Sequence, residues 1–247
     1  MKTYDVVVIG GGTAGIFAAY ELNKLHPELK ISMIEQGRTI QKRICPIIAG
    51  KTKGCIKCPS CSIMNGFGGA GAFSDGKFNF TTEFGGWLND YIPSRDVMDL
   101  IEYVDTVNVS FGATKERFST YSPEAIRLER EALHHDLHLL QASVKHLGTE
   151  KNLKILSNMA EDLEKKIDLI CNTTVEHIHK TLNGEYELDI KGGETICCKY
   201  LIVAPGRSGA EWFSSECKNM GINLINNQVD IGVRVELPAA VFEHITD

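Results

Sequence analysis

The 247-residue chain predicts an α/β fold built on a central parallel sheet, and three observations carry that prediction. The first is an apolar strand, Tyr4 to Ile9, that runs into Gly10-x-Gly12-x-x-Gly15 and then into a helical pattern. The second is another apolar strand, Lys30 to Glu35, which closes a βαβ unit and ends in an acid twenty residues after Gly15. The third is the apolar run Lys199 to Ala204, which stops at Pro205-Gly206 as a parallel strand stops at the ligand-bearing edge of its sheet.

Each piece of the βαβ unit has a physical reason. Gly10 allows a tight turn, Gly12 lets the backbone approach a pyrophosphate, and Gly15 lets the helix pack on the strand. The helix opens at Thr13 and Ala14, where free N–H groups and the positive end of its dipole favour phosphate. Glu35 is placed to accept hydrogen bonds from a ribose diol, with Gln36, Gly37 and Arg38 following at the same edge. A plain glycine linker would carry neither the flanking strands nor the acid. The helix packs Ala18, Ala19, Leu22 and Leu25 on the sheet and ends at His26-Pro27, because proline disfavours helix in the residue before it.

Beyond this unit, Ile40 to Gly86 is rich in Gly, Cys, Ser and Asn and has little periodicity. A loop-like stretch of that length inside a compact domain points to a function. Apolar spacing predicts helices over Asp96 to Phe111, Pro123 to Leu147 and Asn152 to Lys166. Strands are predicted at Cys171 to Ile178, Glu185 to Ile190, Glu194 to Ala204 and Ile231 to Leu237, with turns at Asn183-Gly184 and Gly192-Gly193. The whole is a Rossmann-like domain with a central parallel sheet, a small antiparallel β insertion and part of an inserted helical or substrate domain. The expected boundaries are 1–88 and 151–228 for the two parts of the nucleotide domain, 89–150 for the helical insertion, and 229–247 for the start of a further substrate domain.

Composition narrows the partners. A net charge of -6 leaves no basic stripe to neutralise nucleic-acid phosphates. No apolar stretch reaches the roughly 18 residues of a membrane span. Val6 to Ala19 is not a signal-peptide core, since Asp5 precedes it and glycines interrupt it, so a cytoplasmic location is expected. Eight cysteines in such a chain read as thiols, metal ligands or redox groups rather than a disulfide framework.

Two further segments invite chemistry. Gly66 to Lys77 holds five glycines within its first eleven residues, among them Gly68, Gly69 and Gly71 around Ala70, which frees backbone amides for close approach to a ligand. Ser74 adds a donor there and Lys77 a charge able to neutralise a diphosphate or an anionic reduced flavin; a tight loop packed on the first helix is the plainer reading. Cys55-x-x-Cys58-x-x-Cys61 has the spacing of bacterial iron–sulfur runs, with Cys45 as a distal fourth ligand. The same thiols suit structural zinc, a redox pair, or no chemistry at all. His134 and His138 share a face if the helix runs through them, but no carboxylate completes a metal site.

Gly10, Gly12, Gly15, Glu35 and the Ala204-Pro205-Gly206 turn resemble the flavoprotein superfamily typified by glutathione reductase. The resemblance implies FAD rather than NAD at the first site, Glu35 on the adenosine ribose, and a backbone contact to adenine at Val175. Cys45-Pro46, the cysteine run, Gly66 to Lys77 and Val229 to Glu236 more closely resemble the uncharacterised bacterial FAD-dependent dehydrogenases, NAD(P)/FAD-dependent oxidoreductases. Members of that family continue into a substrate-domain remainder and a C-terminal flavin-contacting glycine motif, so the chain resembles an N-terminal portion. The resemblance implies an FAD-dependent oxidoreductase acting on a small-molecule substrate, with NAD(P)H as partner; no catalytic acid or base stands out. A nicotinamide-binding Rossmann enzyme and a non-catalytic flavin-binding fragment are the competing classes.

Overall fold

A computed structural model describes residues 1–119, 121–226, 231–233 and 235–246. In chain order the elements are β1 (Lys2–Ile9), α1 (Thr13–Leu25), β2 (Ile31–Glu35), β3 (Lys77–Phe80), α2 (Ser94–Ser110), β4 (Phe118–Ser119), α3 (Pro123–Leu133), β5 (Ser143–His146), α4 (Thr149–Leu163), β6 (Asp168–Cys171), β7 (Val175–Lys180), β8 (Tyr186–Ile190), β9 (Glu194–Val203), α5 (Ala210–Asn219) and α6 (Ala239–Thr246). The chain divides into a unit of residues 1–211 and a second of residues 212–247.

The first unit holds a six-stranded sheet in the order β6-β2-β1-β9-β8-β7. β6, β2, β1 and β9 run parallel, while β8 pairs antiparallel with β9 and β7 antiparallel with β8. This is the expected α/β class, and the Gly184 and Gly192-Gly193 turns close its two hairpins. The parallel strands are continuous apolar runs because both faces are covered. β2 is buried along its whole length, and Val7, Val8 and Met33 are fully buried. One face packs α1 through Ile16 and Ala19 against Ile155, Met159 and Leu163 of α4. Leu25, expected on that face, is exposed.

Elsewhere the structure departs from the sequence pattern. The expected strand Cys171 to Ile178 is broken between β6 and β7, where Asn172 takes a φ of 54° and its N–H donates to Gly37 O. The expected helix to Leu147 stops at Leu133, and Ser143–His146 forms β5 in a second, antiparallel sheet of order β3-β5-β4. The cause lies in tertiary partners: Lys145, 1% exposed, reaches both carboxylate oxygens of Asp105 on α2 at 2.7 Å. Arg117 joins Asp105 at 2.8 Å and covers the Phe80 ring at 3.8 Å. β3, with alternating Phe78 and Phe80, arises within the stretch expected to be loop. In the second unit, residues 231–233 and 235–237 form no strand, and parts of the Val229 to Glu236 motif lie outside the described residues. Among the described residues no helix is long and apolar enough to cross a membrane.

Candidate functional site

Three backbone turns meet above the carboxyl edge of the parallel strands. β1 and β9 end level, with Ile9 opposite Val203, so the Gly10 turn and the Ala204–Gly206 turn leave the sheet side by side. Gly10 takes a φ of +104°, and a Cβ there would lie 2.2 Å from the Ala204 carbonyl oxygen. No other residue type fits both demands. A Cβ on Gly15 would lie 1.9 Å from Gly10 O, so α1 reaches the turn only because that position is bare. At Gly12 a Cβ would meet Gly69 Cα alone, at 3.9 Å, which leaves space beside the start of α1. The third turn, Gly66 to Gly71, lies over the first, and Gly68 N–H donates to Gly11 O at 2.7 Å.

Glu35 fastens these turns together. Its Oε1 accepts from the N–H groups of Gly37 at 2.8 Å and Gly66 at 2.9 Å, and its Oε2 accepts from Gly11 at 2.7 Å. An ionised carboxylate has about four acceptor positions, so about one remains, on Oε2. Arg43, 4% exposed, holds the loop before the third turn from inside: it donates to the carbonyls of Ser62, Ile63, Gly66 and Phe67, at 2.7 to 3.4 Å. Burial lowers the proton affinity of this guanidinium, and the charge of Glu35 offsets part of that. Nothing in the pattern of the sequence marks Arg43, because its partners are backbone carbonyls about twenty residues on.

The resulting open cleft encloses about 200 Å³. Of the expected cofactor residues, Gly10, Gly12, Thr13, Glu35 and Gln36, then Gly68, Gly69, Ala70 and Gly71, then Ala204, Pro205 and Gly206 line it. Gly66, which opens the glycine stretch, lines it too, as do Met64, Asn65, Arg207 and Ser208, which no sequence pattern marks, although Arg207 and Ser208 directly follow the Pro-Gly turn. Ser208 Oγ accepts from Gln36 Nε2 at 3.2 Å, joining the two ends of the wall. Ala14, Gly15, Gly37 and Arg38 support these turns without lining the cleft; Arg38 contributes its carbonyl, which accepts from Phe67 N–H. Val175 is buried on β7 away from the lining, and Thr173, whose N–H donates to Glu35 O, comes nearer.

Ser74 and Lys77 belong to a different space. They line a second cavity of about 310 Å³ with Thr13, Phe17, Gly71, Phe78, Asn108 and Leu156. Lys77 pairs with Asp75 at 3.4 Å, and Ser74 Oγ donates to Gly71 O at 2.7 Å. A third, more open hollow of about 440 Å³ shares Lys77, Phe78, Val104 and Asn108 with it and continues to Phe84, Leu88 and Leu100.

Among the described residues no three potential metal-ligand side chains converge, and Cys45, Cys55, Cys58 and Cys61 are each a free thiol. The spacing alone does not turn the side chains inward, because residues 43–69 form no α-helix or strand to hold them. His134 and His138 do not share a helical face either, since α3 ends at Leu133. Cys171, opposite Glu35 in the sheet, is the thiol with the largest perturbation: burial pushes it up to about 12.

No protein-family profile matches the chain, and no curated protein does. Solved structures match in fold. Glycine oxidase from Geobacillus kaustophilus superposes over 91% of this chain with a TM-score of 0.51 and 16% identity. The chain shares its fold with that enzyme. It spans 60% of the length of the glycine oxidase. L-Amino acid deaminase from Proteus myxofaciens, in complex with anthranilate, matches at a TM-score of 0.49 with 15% identity, covering 91% of this chain and 49% of that one. An open cyclohexanone monooxygenase matches at 0.40 with 14% identity, over 83% and 27%.

Proposed function

We propose that the chain binds FAD in the three-turn cleft and forms the dinucleotide-holding part of an FAD-dependent oxidoreductase. The observation that carries this reading is the meeting of the Gly10 turn, the Ala204–Gly206 turn and Glu35 at one sheet edge, which supplies amides for a diphosphate and an acceptor for a ribose side by side. The residues fit such a group. The space beside Gly12 stays open, and Asn65 Oδ1 on the cleft wall is buried with no hydrogen-bond partner.

In this reading the N–H groups at the start of α1 and those of Ala70 and Gly71 bind the diphosphate, while Glu35 orients the ribose through its remaining acceptor position. Gln36, Gly37 and Arg38 border the adenine, and the second cavity, with Ser74 and Lys77, receives the redox end of the cofactor. Bound flavin supplies the electron or hydride chemistry, and the chain supplies binding, orientation and exclusion of water. NAD(P)H is the proposed electron donor and a small molecule the proposed substrate, with full activity drawing on length that this chain, at 60% of the glycine oxidase, does not span.

The test is an absorbance spectrum of the purified protein followed by titration with NADH and NADPH under anaerobic conditions. A yellow protein with one FAD per chain, bleached by one of the two nucleotides, supports the proposal. Colourless protein that takes up NAD but no FAD supports the nicotinamide-binding alternative instead. Bound flavin that neither nucleotide reduces supports a non-catalytic flavin-binding fragment.

A further inference from the structure

The geometry points to Asn65 as the second acceptor for the adenosine ribose, sharing the diol with Glu35; this rests on the dinucleotide reading of the cleft. A ribose diol presents two hydroxyl donors, and Glu35 meets them with its acceptor positions largely occupied. Oε1 already takes two backbone N–H groups, from Gly37 and Gly66, and Oε2 takes one, from Gly11. One hydroxyl is therefore served by Glu35, and the other needs a different oxygen close by.

Asn65 is that neighbour. It precedes Gly66, whose N–H donates to Glu35 at 2.9 Å. Its own carbonyl carbon would lie 2.6 Å from a Cβ built on Gly37, the residue two beyond Glu35. These two contacts place Asn65 at the Glu35 end of the cleft rather than over the start of α1. Asn65 lines the cleft, and its Oδ1 is closed off from solvent without a partner. A carboxamide oxygen in that state has no hydrogen bond to lose, so turning it into the cleft to meet a hydroxyl breaks nothing. Rotation about χ2 exchanges oxygen and nitrogen, so the same side chain presents an acceptor to the ligand without movement of the backbone.

The backbone around Asn65 is held independently of this amide. Asn65 N–H donates to Cys61 O at 2.8 Å, and Arg43 ties down the carbonyls of Ser62, Ile63 and Gly66 on either side. Loss of the side chain therefore removes a ligand contact rather than a structural one.

The experiment is calorimetric titration of the full chain, freed of any bound flavin, with ADP, 2′-deoxy-ADP and 3′-deoxy-ADP, for the parent, N65A and N65L, together with melting of each ligand-free protein. N65A and N65L are expected to bind ADP about tenfold more weakly than the parent. For the deoxy nucleotide that lacks the hydroxyl held by Asn65, the variants and the parent bind alike. Ligand-free variants melt no earlier than the parent, because an unpaired polar group has been removed. Equal weakening for all three nucleotides, or earlier melting with ADP affinity unchanged, overturns the assignment and leaves Asn65 a loop residue. A parent that binds ADP and variants that bind it equally well overturn the assignment alone. A parent that binds none of the nucleotides overturns the dinucleotide reading and the assignment with it.

Discussion

The glycine turn at 10–15 and the cysteine run at 55–61 are both short, spaced motifs, and they meet opposite fates. The glycines sit between a strand and a helix whose packing fixes every backbone atom around them, down to a carbonyl 2.2 Å from where a side chain on Gly10 would begin. The cysteines sit in a stretch without α-helix or strand, and the same spacing regularity brings no three ligands together among the described residues. A motif gains chemical meaning from the regular elements on its flanks, which convert sequence spacing into a direction in space.

Substitutions sharpen that contrast. The largest effect is expected for G10A, which combines a Cβ clash with an unfavourable positive φ: a loss of roughly 4 kcal/mol in urea unfolding, enough to lower the fraction folded visibly. Survival of G10A at parental stability would mean that β1 and β9 do not end side by side. Next comes R43A, which leaves up to four buried carbonyls without their donor and is expected to cost about 3 kcal/mol. Its loss should also release the third turn, seen as faster amide exchange at Gly66 and Gly68.

A smaller effect concerns Cys171. Its folded-state thiol titrates near 12 against an ordinary 9.0, so on raising the pH the unfolded chain releases its proton first. The stability it contributes is complete below pH 9 and is lost between pH 9 and about 12. Tyr4 and Cys198, also raised, titrate in or near this window, so the informative comparison is C171A with the parent: the variant should lose less stability across it. Identical slopes would show that Cys171 is not buried beside Glu35. The smallest effect is reserved for the cysteine run. Replacing Cys55, Cys58 and Cys61 together by serine should change stability by no more than about 0.5 kcal/mol and leave metal content unaltered. One zinc, or iron with sulfide, per parent chain and none in the triple variant would restore the cluster reading.

Legibility followed the same divide. β1, α1, β2 and β9 could be read because each is a long apolar or periodic run whose pattern is local. β5 could not, because its decisive residue, Lys145, is a buried charge justified only by Asp105, forty residues upstream. Within the site, the glycines and Glu35 were legible from spacing, whereas Arg43 and Asn65 were not. Their surroundings are made of carbonyls and loop backbone, which leave no periodic trace in the sequence. β3 is a different case: the alternation of Phe78 and Phe80 was available, but the glycines before it drew the reading towards loop.

The central claim is that this cleft recognises the adenosine diphosphate half of a flavin dinucleotide. Side-by-side titration of FAD and FMN into the flavin-free chain tests it most directly, because the two share the isoalloxazine ring, ribityl chain and first phosphate and differ only in the adenylate. Saturable binding of FAD at one site per chain, with FMN bound far more weakly, is the predicted result. Equal affinity for the two, or no uptake of FAD, would contradict the account.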